Sequence, residues 1–92
     1  MVHAFVLVDA EPDRIDHLAT AMADIEGVAE VYSVTGEIDL LVVVRVARHE
    51  DLADVVTRRI SCLDGVRATE TMVAFQAYGK RDLEAMWDLG TL

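Results

Sequence analysis

The chain has 92 residues, with 17 Asp and Glu against 8 Lys and Arg, for a formal net charge of -9. A surface of that sign repels phosphate backbones and no basic run exceeds two residues, so direct nucleic-acid binding is not expected. Hydrophobic residues make up 53% of the chain, although a domain of this mass buries only roughly two-thirds of its unfolded surface, so there is more apolar material than one small core uses.

Val2 to Val8 is β-branched and aromatic and reads as a strand, ended by Asp9-Ala10-Glu11-Pro12. Pro12 suits the first position of a helix, and Glu11, Asp13 and Asp16 sit at its positive end. Ile15, Leu18, Ala19, Met22 and Ile25 give its apolar face, and Gly27 closes it. A second strand is predicted from Val28 to Val34. Thr35-Gly36-Glu37 has the composition of a hairpin turn into a third strand, Ile38 to Val46. After Arg48, the residues Leu52, Val55, Val56, Ile60 and Leu63 predict a second helix with Glu50 and Asp51 in its first turn and Gly65 at its end. A fourth strand follows from Val66 to about Tyr78. Residues 1–79 therefore form one domain, and 80–92 is a C-terminal extension in which Leu83, Met86, Trp87 and Leu89 are spaced for a short helix.

The chain carries a weak internal repeat. Ile25-Glu26-Gly27-Val28 matches Leu63-Asp64-Gly65-Val66 at an offset of 38 residues, and Leu18 and Met22 fall on Val56 and Ile60. Two βαβ halves in the order βαββαβ make an α+β, ferredoxin-like fold, with a four-stranded antiparallel sheet and both helices on one face. The other face should alternate with polar residues if it met water, but Phe5 and Leu7 alternate with Ala4, Val6 and Val8, and Leu41 and Val43 with Leu40, Val42 and Val44. A sheet about 20 Å long at ~4.8 Å per strand spans roughly 400 Å², as large as the apolar patches monomers tolerate. Covering it is worth on the order of 10 kcal/mol before association costs, which predicts a face-to-face homodimer, a dimeric αβ-barrel. The alternative cover is the terminal segment with Trp87 folded back over the sheet.

No nucleophile with a base, no paired catalytic carboxylates and no phosphate-cradling loop is present, so no catalytic residue and no cofactor is expected. His3, His17 and His49 lack zinc-site spacing and read as solvated or capping, and Cys62 reads as a small core residue. No apolar run exceeds five residues, the length of Leu40 to Val44, too short for a membrane span, and the N-terminus does not read as a signal peptide. The expected compartment is the cytoplasm.

Two places invite a ligand. In Thr35-Gly36-Glu37-Ile38-Asp39 a glycine permits close backbone approach beside two carboxylates, which suits a molecule bearing a carboxylate and an ammonium. The plainer reading is a hairpin tip with a positive φ at Gly36 and acids for solubility. In the fourth strand Thr69 and Thr71 share one face, although threonine is also simply a good strand former.

The block Val34-Thr35-Gly36-Glu37-Ile38-Asp39-Leu40, together with Leu63-Asp64-Gly65-Val66-Arg67-Ala68-Thr69-Glu70-Thr71, resembles the regulatory (RAM) domain of the Lrp/AsnC family of feast/famine transcriptional regulators. The resemblance covers residues 2–79. It implies a domain that dimerises through its sheets, assembles into octamers or similar rings, and binds amino-acid effectors in clefts between dimers. It further implies that Gly36 and Asp39, with Thr35, Glu37 and Ile38, lie on the effector-contacting turn, and that Thr69 and Thr71 line the cleft. Usual members carry an N-terminal helix-turn-helix domain, whereas this sequence starts at the first regulatory strand. A stand-alone module that joins full-length relatives in mixed oligomers is therefore expected. Competing readings are a small dimeric αβ-barrel monooxygenase using His3, an ACT-like domain without its usual glycine-bearing first turn, and a purely structural assembly module.

Overall fold

Alternation along the first strand sorts the molecule into two sides. In the computed structural model, which describes residues 1–79, strand β1 (Val2–Ala10) buries Ala4, Val6, Val8 and Ala10 and leaves Phe5 and Leu7 less covered. Strand β3 (Leu40–Val46) runs antiparallel beside it, from Val2 opposite Val46 to Val8 opposite Leu40. Directly paired residues point to the same side, so Leu40, Val42, Val44 and Val46 join the buried set. Strand β2 (Val28–Ser33) pairs with the outer edge of β3, and β4 (Val66–Val73) with the outer edge of β1, giving the antiparallel order β2-β3-β1-β4.

Both helices cover the buried side. Pro12 opens a 3-10 turn, Pro12–Arg14, which leads into α1 (Ile15–Ala23), and α1 buries Leu18 and Met22. Helix α2 (His49–Asp54) continues as a π-helical segment, Val55–Ile60, and together they bury Leu52, Val55 and Ile60. These residues and the even-numbered side of β1 and β3 form one core, and no polar side chain is buried among the described residues. The ferredoxin-like architecture expected from the sequence is the observed one.

The internal repeat is real in three dimensions. Gly27 (φ 98°) and Gly65 (φ 102°) close the two helices with the same turn, in which the Val28 N–H donates to Ile25 O at 3.0 Å and the Val66 N–H to Leu63 O at 3.2 Å. A Cβ at Gly65 would stand 2.9 Å from the Arg14 Cβ, so both the backbone sign and the packing call for glycine there.

Several boundaries differ from the expectation. The first helix ends at Ala23, leaving Ile25 packed on the core from the turn, and Val34 and Ile38 belong to the connection between β2 and β3. The fourth strand stops at Val73, not near Tyr78. Its partner β1 begins at Val2, the Ala74 N–H makes the last bond to His3 O at 2.8 Å, and Phe75 and Tyr78 beyond it are exposed. Cys62 is exposed and not a core residue, because it follows the helical segment in the turn to β4, where its thiol faces Arg58 O. The terminal helix expected within 80–92, including Trp87, lies outside the described residues.

Candidate functional site

The connection from β2 to β3 is a six-residue turn, 34–39, closed by the Val34 N–H donating to Asp39 O at 3.1 Å. Thr35, Gly36 and Glu37 are exposed, and Ile38 and Asp39 are half-buried. Gly36 has φ 116°, and nothing lies within 4 Å of where a Cβ would be, so its backbone is open to approach.

Asp39 is anchored to β1. Its N–H donates to Val8 O at 2.9 Å, and its Oδ2 accepts the Ala10 N–H at 2.8 Å, a part-buried bond across 29 residues of sequence. Ala10 is 1% exposed, so an unpaired amide there would cost about 1–3 kcal/mol. Sequence reasoning missed this bond because the partner is a backbone group that leaves no compositional mark.

Thr69 and Thr71 lie opposite Val8 and Val6, on the helix-covered side of the edge strand. Thr69 is half-buried with its hydroxyl 3.3 Å from that of Ser61, at the end of the second helical segment, and Thr71 is exposed. Strand β1 stands between β4 and β3, so the threonines and the turn share one end of the sheet but are not brought into one pocket by a single chain.

The uncovered side of the sheet carries two cross-strand rows. One runs Tyr32, Leu41, Leu7, Glu70 and the other Glu30, Val43, Phe5, Met72. The centre is aliphatic and aromatic, yet Phe5 is 36%, Tyr32 46% and Met72 47% exposed. Along the β2 edge the Tyr32 hydroxyl donates to Glu30, which also pairs with Arg45 at 3.5 Å, and that hydrogen bond raises the tyrosine pKa above its usual value. Sequence reading named Phe5, Leu7, Leu41 and Val43 but missed Tyr32. A register shift between Val28 and Glu30 reverses the alternation that would have flagged it.

Chemistry elsewhere is muted. His3 pairs in register with Arg45, on the side opposite Ala4, so it does not enter the space between helices and sheet that an enzyme pocket would use. An open cleft of about 460 Å³ at the far end of the sheet is lined by Glu26, Arg45, Asp51, Asp54 and Arg59. Most of its charges are matched within the chain: Arg45 meets Glu30 at 3.5 Å, Arg59 meets Asp54 at 3.3 Å, and Arg48 meets Asp51 at 3.1 Å. Among the described residues, no helix is long and apolar enough to cross a membrane.

Comparison with known proteins bears on these surfaces. A family model described as the Lrp/AsnC ligand binding domain matches residues 3–83. An uncharacterized HTH-type transcriptional regulator of Pyrococcus furiosus is 40% identical over 75 residues, 78% of this chain and 50% of that protein. The chain thus spans about half the length of the curated relatives it matches. The crystal structure of a Thermus thermophilus protein superposes with a TM-score of 0.83 at 49% identity, covering 87% of this chain and all of that one. A feast or famine regulatory protein from Mycobacterium tuberculosis, solved in complex with L-methionine, superposes at 0.72 with 29% identity, covering 88% of this chain and 54% of that one.

Proposed function

We propose that this chain, which belongs to the Lrp/AsnC ligand-binding domain family, is a cytoplasmic amino-acid-binding and assembly module that modulates transcription through its oligomeric state. The observation that carries the reading is the open turn at 34–39: an unobstructed glycine backbone flanked by Thr35 and the exposed Glu37 carboxylate, at one end of a sheet whose uncovered face is apolar at its centre. Backbone N–H groups of Thr35 to Glu37 suit a ligand carboxylate, and Glu37 suits its ammonium.

The uncovered sheet face is assigned to a second copy of the chain, because Phe5, Leu7, Leu41, Val43 and Met72 offer a self-complementary apolar centre with polar edges. Further assembly of such dimers into an octamer or similar ring brings the turn of one subunit and Thr69 and Thr71 of a neighbour into one cleft. A ligand held across that junction stabilises the assembly that contains it, by about 2.7 kcal/mol at a hundredfold its dissociation constant. The methionine bound by the M. tuberculosis relative supports a free amino acid as the ligand class. Transcription is reached through assembly, including mixed particles with full-length relatives of the HTH-type.

A thermal-shift screen of the twenty amino acids at millimolar concentration, with mass measured by sedimentation, tests the reading. At least one amino acid raises Tm and changes the particle mass. Flat traces for all twenty with an unchanged oligomer would leave a structural assembly module instead.

A further inference from the structure

Asp39 has two plausible duties in the turn, and the geometry separates them. Its carboxylate faces inward, with Oδ2 2.8 Å from the Ala10 amide in a part-buried setting, whereas Thr35, Gly36 and Glu37 face solvent. The place where the bond falls is a seam in the sheet. The β1–β3 ladder ends at Val8 opposite Leu40, so Ala10 lies beyond the reach of β3. On the other side of β1, the pairing with β4 slips between Asp9 and Ala10. One residue further, the Glu11 N–H donates to Gly65 O at 2.8 Å, and Pro12 opens the turn into α1. Asp39 thus substitutes a side-chain oxygen for the missing β3 carbonyl, and ties the tip between β2 and β3 to the junction from which the first helix starts.

We infer that Asp39 is a positioning residue: its carboxylate acts as the hydrogen-bond acceptor that fixes turn 34–39 to the end of β1, and not as the counter-charge for a ligand ammonium. The inference rests on the turn being the ligand site only for its consequence in binding; the latch itself stands on the intramolecular bond. Charge is dispensable for such a role, but an acceptor oxygen is not.

The pair Asp39→Asn and Asp39→Ala tests it, because asparagine keeps an acceptor and loses the charge while alanine loses both. Amide hydrogen exchange and backbone chemical shifts are recorded by NMR on the intact chain and both variants, and affinity is titrated with L-methionine and with any amino acid that shifts the wild type. Asp39→Asn should keep the Ala10 amide protected, leave the turn shifts in place and hold affinity within about threefold. Asp39→Ala should speed Ala10 exchange at least tenfold, move the 34–38 resonances and weaken binding by a similar factor. Loss of affinity in Asp39→Asn with Ala10 still protected would overturn the inference and assign Asp39 to the ligand, and unchanged Ala10 exchange in Asp39→Ala would overturn the latch. Should no amino acid bind the wild type, the ligand reading fails by itself, while the exchange rates in the three proteins still decide the latch.

Discussion

The two sides of the sheet are built from alternate residues of the same strands, yet they end in opposite states. Val6 is fully buried under the helices, and its neighbour Phe5 is 36% exposed on the other side. Both sides are apolar by composition, so composition does not decide which becomes the core. The helices decide it: Leu18, Met22, Leu52, Val55 and Ile60 all close over one side. The lesson is that a strand apolar on both faces offers two surfaces for packing, of which the described residues cover one.

That contrast is open to direct attack one residue apart. Val6→Asp places a charge in a side without any buried polar group and should cost on the order of 4 kcal/mol or more, enough to unfold a domain of this size, as circular dichroism would report. Phe5→Asp carries the same chemistry on the open side and should leave the spectrum intact while lowering the sedimentation mass below that of the wild type, towards the single chain. If both variants unfolded alike, the two sides would be one core; if Phe5→Asp kept the wild-type mass, the open side would not be the interface.

A smaller difference separates two glycines, both at positive φ. Gly65 is hemmed in by Arg14 and Leu18, whereas Gly36 has open space around it. Gly65→Ala should lose about 2–3 kcal/mol, combining backbone strain with the clash, and Gly36→Ala about 1 kcal/mol from backbone alone. Thermal melts of the two variants order them, and the reverse order would break the distinction between a packed and an open turn.

The smallest effect belongs to the exposed start of α2. The Arg48 guanidinium, hydrogen-bonded to Asp51, holds that carboxyl below the usual carboxylate range and is itself raised in return. A folded-state pKa below the unfolded one stabilises the fold above the unfolded value and ceases to do so as pH falls through the folded value. Arg48→Ala should therefore move the midpoint of acid unfolding slightly upward, and the shift should shrink in high salt.

What was legible in the sequence was whatever is encoded locally. The order of elements, the glycine turns at Gly27 and Gly65 and the double apolar alternation of β1 and β3 follow from spacing alone. What depends on distant partners was not. The end of β4 at Val73 is set by where β1 begins, 71 positions earlier by number. Val55–Ile60 has the apolar spacing of an ordinary helix, and its π-helical form had no compositional sign. Cys62 was misplaced because helical periodicity was carried past Ile60 into a turn. At the candidate site, the turn itself was legible, since Gly36 announces its own backbone, but the inward bond of Asp39 was not.

The strand order carries one more consequence. Each βαβ half contributes one central and one edge strand, and in β2-β3-β1-β4 every neighbouring pair joins strands from different halves. Neither half therefore contains a single sheet hydrogen-bond ladder of its own. A chain severed between Gly36 and Glu37 would yield two fragments, each with an amphipathic helix and two strands that have no partner until the other fragment arrives. The two halves are thus interlocked and not merely stacked, and such a chain is expected to fold and unfold as one cooperative unit whose transition state must already bring both halves together.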